Sequence, residues 1–115
     1  MEELVVLYED NHIIVVVKPQ NIPSQGDISG DDNMLNKVKR YIKEKYNKEG
    51  EAFVGLVHRL DRPTGGIMVF AKTSKAAARL SQQIKDNQMN KTYYAVTTQI
   101  PQIKQNILLN YLKKD

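Results

Sequence analysis

The sequence predicts an α+β domain in which a mixed, partly antiparallel β-sheet carries two flanking helices. Three observations support that expectation. The chain opens with short β-branched runs separated by a polar turn. Its apolar spacing switches to a helical period twice, after Asn33 and after Thr73. The resulting order is ββαββαβ, with the pattern of a further strand behind it.

Leu4-Val5-Val6-Leu7-Tyr8 is the first strand, Glu9-Asp10-Asn11 the turn, and His12-Ile13-Ile14-Val15-Val16-Val17 the second strand of a hairpin. The unbroken apolar character of the second strand predicts burial on both faces. Lys18-Pro19 ends it, because proline has no ladder donor. Residues 20–33 hold Pro23, Gly26, Gly30 and three aspartates, the composition of a long functional or mobile loop. Met34, Leu35, Val38, Tyr41, Ile42 and Lys45 then keep helical spacing, with Asp32 or Asn33 as N-cap and Asn47 and Gly50 at the end. Lys37, Lys39, Arg40, Lys43 and Lys48 cover much of the remaining surface of that helix and its exit.

Residues 53–57 predict a third strand and Ile67-Met68-Val69-Phe70-Ala71 a fourth. Thr73 or Ser74 caps a second helix with a narrow apolar stripe of Ala77, Leu80 and Ile84, closed by Asp86-Asn87. Residues 91–98 predict a fifth strand. Residues 103–112, with Ile107, Leu108, Leu109 and Leu112, carry the pattern of a sixth.

At 115 residues and 13.2 kDa the chain has room for one small domain, spanning 1–115. Zero cysteines exclude a disulfide framework and thiolate-based zinc, iron–sulfur or redox chemistry. No apolar run approaches the roughly 18 residues of a membrane span. Glu2 and Glu3 do not resemble a secretory leader, so a soluble, cytoplasmic protein is expected. The net charge of +4 is unevenly placed. Residues 1–33 carry seven acids against Lys18 alone, net −6, and the rest carries +10. That polarity suits a polyanion gripped by the later segments, and it equally suits a solvated protein with scattered lysines.

The chemistry concentrates in His58-Arg59-Leu60-Asp61-Arg62-Pro63-Thr64-Gly65-Gly66, between two apolar strands. Cations beside Asp61 favour the ionised carboxylate that a nucleophile or base requires. Gly65 and Gly66 admit positive φ and close approach of backbone to a ligand. Residue types alone also fit a structural turn in which Asp61 caps the loop and both arginines are solvated. A kinase loop, a Walker A loop, a metal site built on His12 and His58, and a paired-carboxylate glycosidase all fail on residue order or missing partners.

Residues 58–66 resemble the signature of the RluA-type pseudouridine synthases, in which His-Arg-Leu-Asp is followed by two variable residues and Thr-Ser-Gly. Three further pieces agree in order. Ile14-Val15-Val16-Val17-Lys18-Pro19 resembles the early strand ending in Lys-Pro. Val69-Phe70-Ala71-Lys72-Thr73-Ser74-Lys75-Ala76-Ala77 resembles the strand-to-helix step. Lys91-Thr92-Tyr93 resembles the Lys-x-Tyr motif.

The resemblance implies an isomerase converting uridine to pseudouridine in structured ribosomal or transfer RNA, without cofactor or metal. It implies Asp61 as the catalytic carboxylate and Tyr93 as the tyrosine against the target base. Arg59 matches the residue that can enter the RNA stack, and Arg62, Lys18, His58 and Lys91 complete the expected RNA-contacting set. Apart from the match, Tyr93 reads as a core strand tyrosine. Gly65 departs from the family's more usual Ser. Nothing in residues 98–115 matches the family's Gly-Arg-Thr/x-His-Gln-Ile-Arg motif, whose arginine pairs with the catalytic carboxylate. The expectation is therefore a catalytic domain lacking its C-terminal part and inactive by itself. An RNA-binding module without catalysis and an unrelated Asp-dependent hydrolase are the alternatives.

Overall fold

Asp10 closes the first hairpin. Its carboxylate accepts the backbone N–H groups of His12 at 2.7 Å and Ile13 at 2.8 Å, fixing the turn between β1 (Val5–Glu9) and β2 (Ile13–Lys18). The computed structural model describes residues 3–47 and 49–114, so Glu2, Lys48 and Asp115 lie outside the described residues. The remaining elements are α1 (Met34–Lys45), β3 (Gly55–Leu56), β4 (Gly66–Ala71) and α2 (Ser74–Lys85).

The strands form one sheet in the order β1-β2-β4-β3. Each of its three pairs is antiparallel, so among the described residues the antiparallel part of the expected sheet is what forms. The α+β class and the two flanking helices are as the sequence predicts.

The longest ladder, β2 against β4, places Ile14 opposite Phe70, Val16 opposite Met68 and Lys18 opposite Gly66. Those residues share one face. Met34, Val38 and Ile42 of α1, spaced at i, i+4 and i+8, are buried in one cluster with Ile14, Val16, Met68 and Phe70. Each such burial contributes about 1.5–3 kcal/mol. Val15 and Val17 point the other way and stay half-buried, so the expectation of a strand sealed on both faces is corrected. The reason is that α2 covers only part of that second face. It packs at Gly55, where a Cβ would lie 2.9 Å from Ala77 Cβ and 3.3 Å from Ala71 Cβ.

Helix ends follow the side chains that the sequence supplies. Asn33 caps α1 by accepting Asn36 N–H, and Thr73 caps α2 by accepting Ala76 N–H. Asn47 and Asn87 adopt left-handed φ values of 49° and 57° just past the two C-termini. After α2 the N–H groups of Asn87 and Gln88 bond the carbonyls of Ile84 and Gln83, a complete Schellman turn.

Residues 91–98 and 103–112 are not strands. They run without ladder partners, and Tyr94, Val96, Ile100, Leu109 and Leu112 are exposed. β-branched and aromatic side chains favour a strand only when a neighbouring strand accepts their backbone, and none is adjacent here.

A buried ionic hub ties the hairpin to the helices. Glu9 accepts hydrogen bonds from Lys72 (2.6 Å), Lys45 (2.8 Å), Tyr46 (2.8 Å) and Tyr41 (3.1 Å). Burial pushes the Glu9 carboxyl up, but these four donors outweigh it and hold the pKa at about 2. The unfolded chain therefore takes a proton that the folded one refuses. The stabilisation is complete above the ordinary carboxyl pKa of 4.5 and is lost as pH falls toward 2, a difference of roughly 3 kcal/mol. Urea unfolding between these pH values should show this slope. Glu9→Gln should flatten it and cost about 3 kcal/mol at neutral pH, because Lys72 loses its counter-charge.

Candidate active site

Lys18 is the last residue of β2, on the buried face of the sheet, and its side chain is 0% exposed. An ammonium has three N–H donors, and all three are used. Nζ donates to the carbonyls of Thr64 at 2.7 Å, Arg62 at 2.9 Å and Pro19 at 3.0 Å. Burial pulls the lysine pKa down, as does the Arg62 guanidinium, while the Asp61 carboxylate opposes both. Lys18 was expected at the RNA surface. The structure corrects this: the group is sealed under the motif loop and acts by holding its backbone.

Two more contacts fasten the same loop. The Ser24 hydroxyl donates to the Leu60 carbonyl at 2.7 Å and accepts Leu60 N–H at 3.0 Å, behaving as a short piece of strand. Asn21, at a left-handed φ of 67°, donates its N–H to the Arg62 carbonyl at 2.8 Å. Neither residue was singled out by sequence; their signal lies in a serine and an asparagine just after Lys-Pro, which pattern alone does not separate from turn chemistry.

Gly65 and Gly66 are absent from the positive-φ glycines, which are Gly30 and Gly50. Space is the reason for Gly65: a Cβ there would stand 3.2 Å from Gln20 Cγ and 3.3 Å from the Lys18 carbonyl. The loop is pressed against the strand that anchors it.

On this base, Asp61 begins a tight turn in which its carbonyl accepts Thr64 N–H at 2.9 Å. The turn uses the backbone, not the side chain. The Asp61 carboxylate is exposed and has no hydrogen-bond or ion-pair partner among the described residues. The alternative in which its side chain caps the loop is therefore not what forms. Arg59 is exposed and likewise without such a partner among the described residues. Arg62 is engaged: it pairs with Asp31 at 2.5 Å and Asp27 at 3.6 Å, carboxylates of the long 20–33 loop.

His58 sits where the β3–β4 ladder would continue, half-buried, its Nε2 accepting Val69 N–H at 3.0 Å. This fixes the neutral ring with its proton on Nδ1. Burial pushes its pKa down, and nearby Lys91 adds to the effect. The imidazole is thus a strut of the sheet edge and also lines the cavity beside it.

Beside it opens a cavity of about 600 Å³, lined among others by His58, Leu60, Thr64, Ile67, Val69, Lys91 and Tyr93. Tyr93 is 62% exposed and so is not a core tyrosine. Asp61 is not among the lining residues, whereas Leu60, which precedes it in the chain, and Thr64, which closes its turn, are.

Comparison with known proteins adds an independent line. A family described as RNA pseudouridylate synthase matches residues 12–115. The chain is similar to ribosomal large subunit pseudouridine synthase D of Borreliella burgdorferi, 39% identical over 97 residues, covering 81% of this chain and 29% of that protein. It is similar to tRNA pseudouridine synthase C of Pectobacterium carotovorum at 37% identity, covering 81% of this chain and 23% of that one. Among solved structures it is similar to human RNA pseudouridylate synthase domain containing 4, with a TM-score of 0.61 and 25% identity, covering 73% of this chain and 30% of that chain. The chain thus spans less than a third of the length of these proteins, 23–30%.

Lys18→Met should leave the Pro19 and Thr64 carbonyls without their ammonium donor, with the Arg62 carbonyl keeping only Asn21 N–H, and cost about 3 kcal/mol in urea unfolding. Amide exchange at Thr64 should accelerate with it, because the loop loses its tie. His58 gives a second signature. The unfolded ring takes a proton near its ordinary pKa of 6.5 while the folded ring resists. Stability should therefore fall as pH drops below 6.5, and His58→Gln should remove that slope.

Proposed function

Because the chain belongs to the RNA pseudouridylate synthase family, we propose that it carries the reactive carboxylate of a uridine isomerase acting on structured RNA. Residues 1–115 are read as part of one catalytic domain. The observation that supports this best is Asp61 itself, an exposed carboxylate without a side-chain partner among the described residues, on a loop held from beneath by Lys18. A side chain kept for structure would be paired; this one is left open to an incoming group.

A uridine stacked in a helix cannot present its glycosidic bond to a carboxylate. The nucleotide must leave the stack, at a cost of a few kcal/mol. Arg59, planar and exposed beside Asp61, suits the vacated space. The cavity has the volume of a small-ligand site. Ile67 and Val69 give it an apolar lining, Tyr93 gives a ring against which a pyrimidine stacks, and Lys91 gives a cation for the adjoining phosphate. Asp61, next in the chain to the lining residue Leu60, would then meet the sugar–base junction. Its work as a nucleophile toward sugar or base, or as proton acceptor, needs the same unobstructed approach. The uracil turns and is rejoined through carbon in place of nitrogen.

Relatives are named for ribosomal and for transfer RNA, and one of these two classes is the proposed substrate here. A cytoplasmic setting goes with that substrate; among the described residues no helix is long and apolar enough to cross a membrane.

Tritium release from uridine-labelled RNA tests the assignment in the full-length protein. Asp61→Asn should lose turnover by roughly a thousandfold or more. Its unfolding free energy should fall by no more than about 1 kcal/mol, because the side chain makes no hydrogen bond and only its field at Lys18 is lost. Undiminished turnover would refute the role of Asp61. The 115 residues alone should release no tritium above the Asp61→Asn background, since no cation pairs with Asp61 among the described residues. Salt-dependent RNA binding with no turnover in any form would favour the non-catalytic module instead.

A further inference from the structure

Arg62 is held by a segment that no other side chain outside it holds among the described residues. Its Nη2 lies 2.5 Å from Asp31 Oδ2, and its Nη1 lies 3.3 Å from Ser29 Oγ and 3.6 Å from Asp27 Oδ2. Residues 25–31 are exposed throughout, and Ile28, their one large apolar side chain, is fully exposed. Their other hydrogen bonds are internal: Asp27 accepts Ser29 N–H, and Asp31 N–H donates to Ser29 Oγ. Among the described residues, Arg62 alone links 25–31 to the body by a side-chain bond. Asp32, next in sequence, is bound elsewhere, by Arg40.

We infer that Asp27, Ser29 and Asp31 are an internal stand-in for an RNA phosphate, holding Arg62 until a backbone phosphate beside the target nucleotide takes the guanidinium. The inference rests on the RNA reading above and concerns how that RNA gains the site. A guanidinium fork receives a carboxylate or a phosphate in the same two-pronged geometry, so one replaces the other without rebuilding the loop that carries it. The exposed pair is weak and exchanges readily. After the exchange two aspartates would face a polyanion, so residues 25–31 must swing outward. Gly26 and Gly30 each immediately precede one of the acids, and Gly30 already sits at φ 71°, where other side chains are strained. The device acts as a selectivity filter. A stray phosphate has to displace two carboxylates, whereas RNA that also meets Arg59 and Lys91 brings compensating contacts.

Fluorescence anisotropy with a labelled uridine-containing RNA hairpin, at about 0.1 M salt where such charges still act, measures the effect. The full-length protein is compared with an Asp27→Asn/Asp31→Asn double variant, with Arg62→Gln, and with all three changes together. The double variant should bind about three- to tenfold tighter and Arg62→Gln weaker. The triple variant should match Arg62→Gln, because the acids act through that arginine. Equal tightening in the Arg62→Gln background would mean plain repulsion through space and overturn the inference. Weaker binding by the double variant would mean that the acids orient Arg62 for RNA, and would overturn it too. Amide exchange without RNA reads the tie separately: Arg62→Gln should speed exchange at Ser29 and Asp31 while α1 stays protected, and unchanged exchange there sinks the proposal. If the loop is freed but no form binds RNA, the RNA reading fails and the stand-in role fails with it.

Discussion

A buried ammonium with each N–H directed to a backbone carbonyl is the constraint on which the candidate site depends. Lys18 has no carboxylate hydrogen-bonded to it. Its charge is compensated by the dipoles of the Pro19, Arg62 and Thr64 carbonyls and by the field of Asp61. Desolvating a cation is costly, so those carbonyls cannot turn away without leaving the charge bare. The result is a motif loop fixed by its backbone. Its side chains at 59 and 61 are exposed and make no hydrogen bond among the described residues, and so remain open to a ligand.

The rest of the architecture serves that arrangement. Lys18 reaches the loop because the β2–β4 ladder sets it opposite Gly66, on the face that α1 covers. Ser24 and Asn21 follow in the same stretch of chain and add hydrogen bonds to Leu60 and Arg62. At the other end of the sheet Glu9 gathers Lys45, Lys72 and two tyrosines, locking β1 to the end of α1 and the start of α2. One ion cluster thus stabilises the scaffold and a lone cation stabilises the site. They sit at opposite ends of the molecule's longest ladder.

Local chemistry was legible where it is self-contained. Asn33 and Thr73 cap their helices, Asn47 and Asn87 end them, and the first hairpin turns at Asp10, because each device needs only neighbours in sequence. The apolar spacing of α1 also identified its buried stripe. Strand assignments at 91–98 and 103–112 did not survive, because a strand is defined by its partner and the pattern cannot show whether one is adjacent. β3 shrank to two residues for a related reason: the His58 ring takes the Val69 N–H that a longer strand would have bonded.

The sequence by itself determined the α+β class, the hairpin, both helices and the family, because periodicity, caps and an ordered set of motifs are written in consecutive residues. It also pointed to 58–66 as the candidate site. Tertiary structure alone decided what each charge does there. Lys18, Arg62 and Asp61 all looked like polar residues facing a ligand, yet one is buried beneath the loop, one is paired with distant aspartates, and one is left free. Charge is a property of the residue, but its role depends on solvent access and on partners dozens of positions away, and both exist only once the chain has folded.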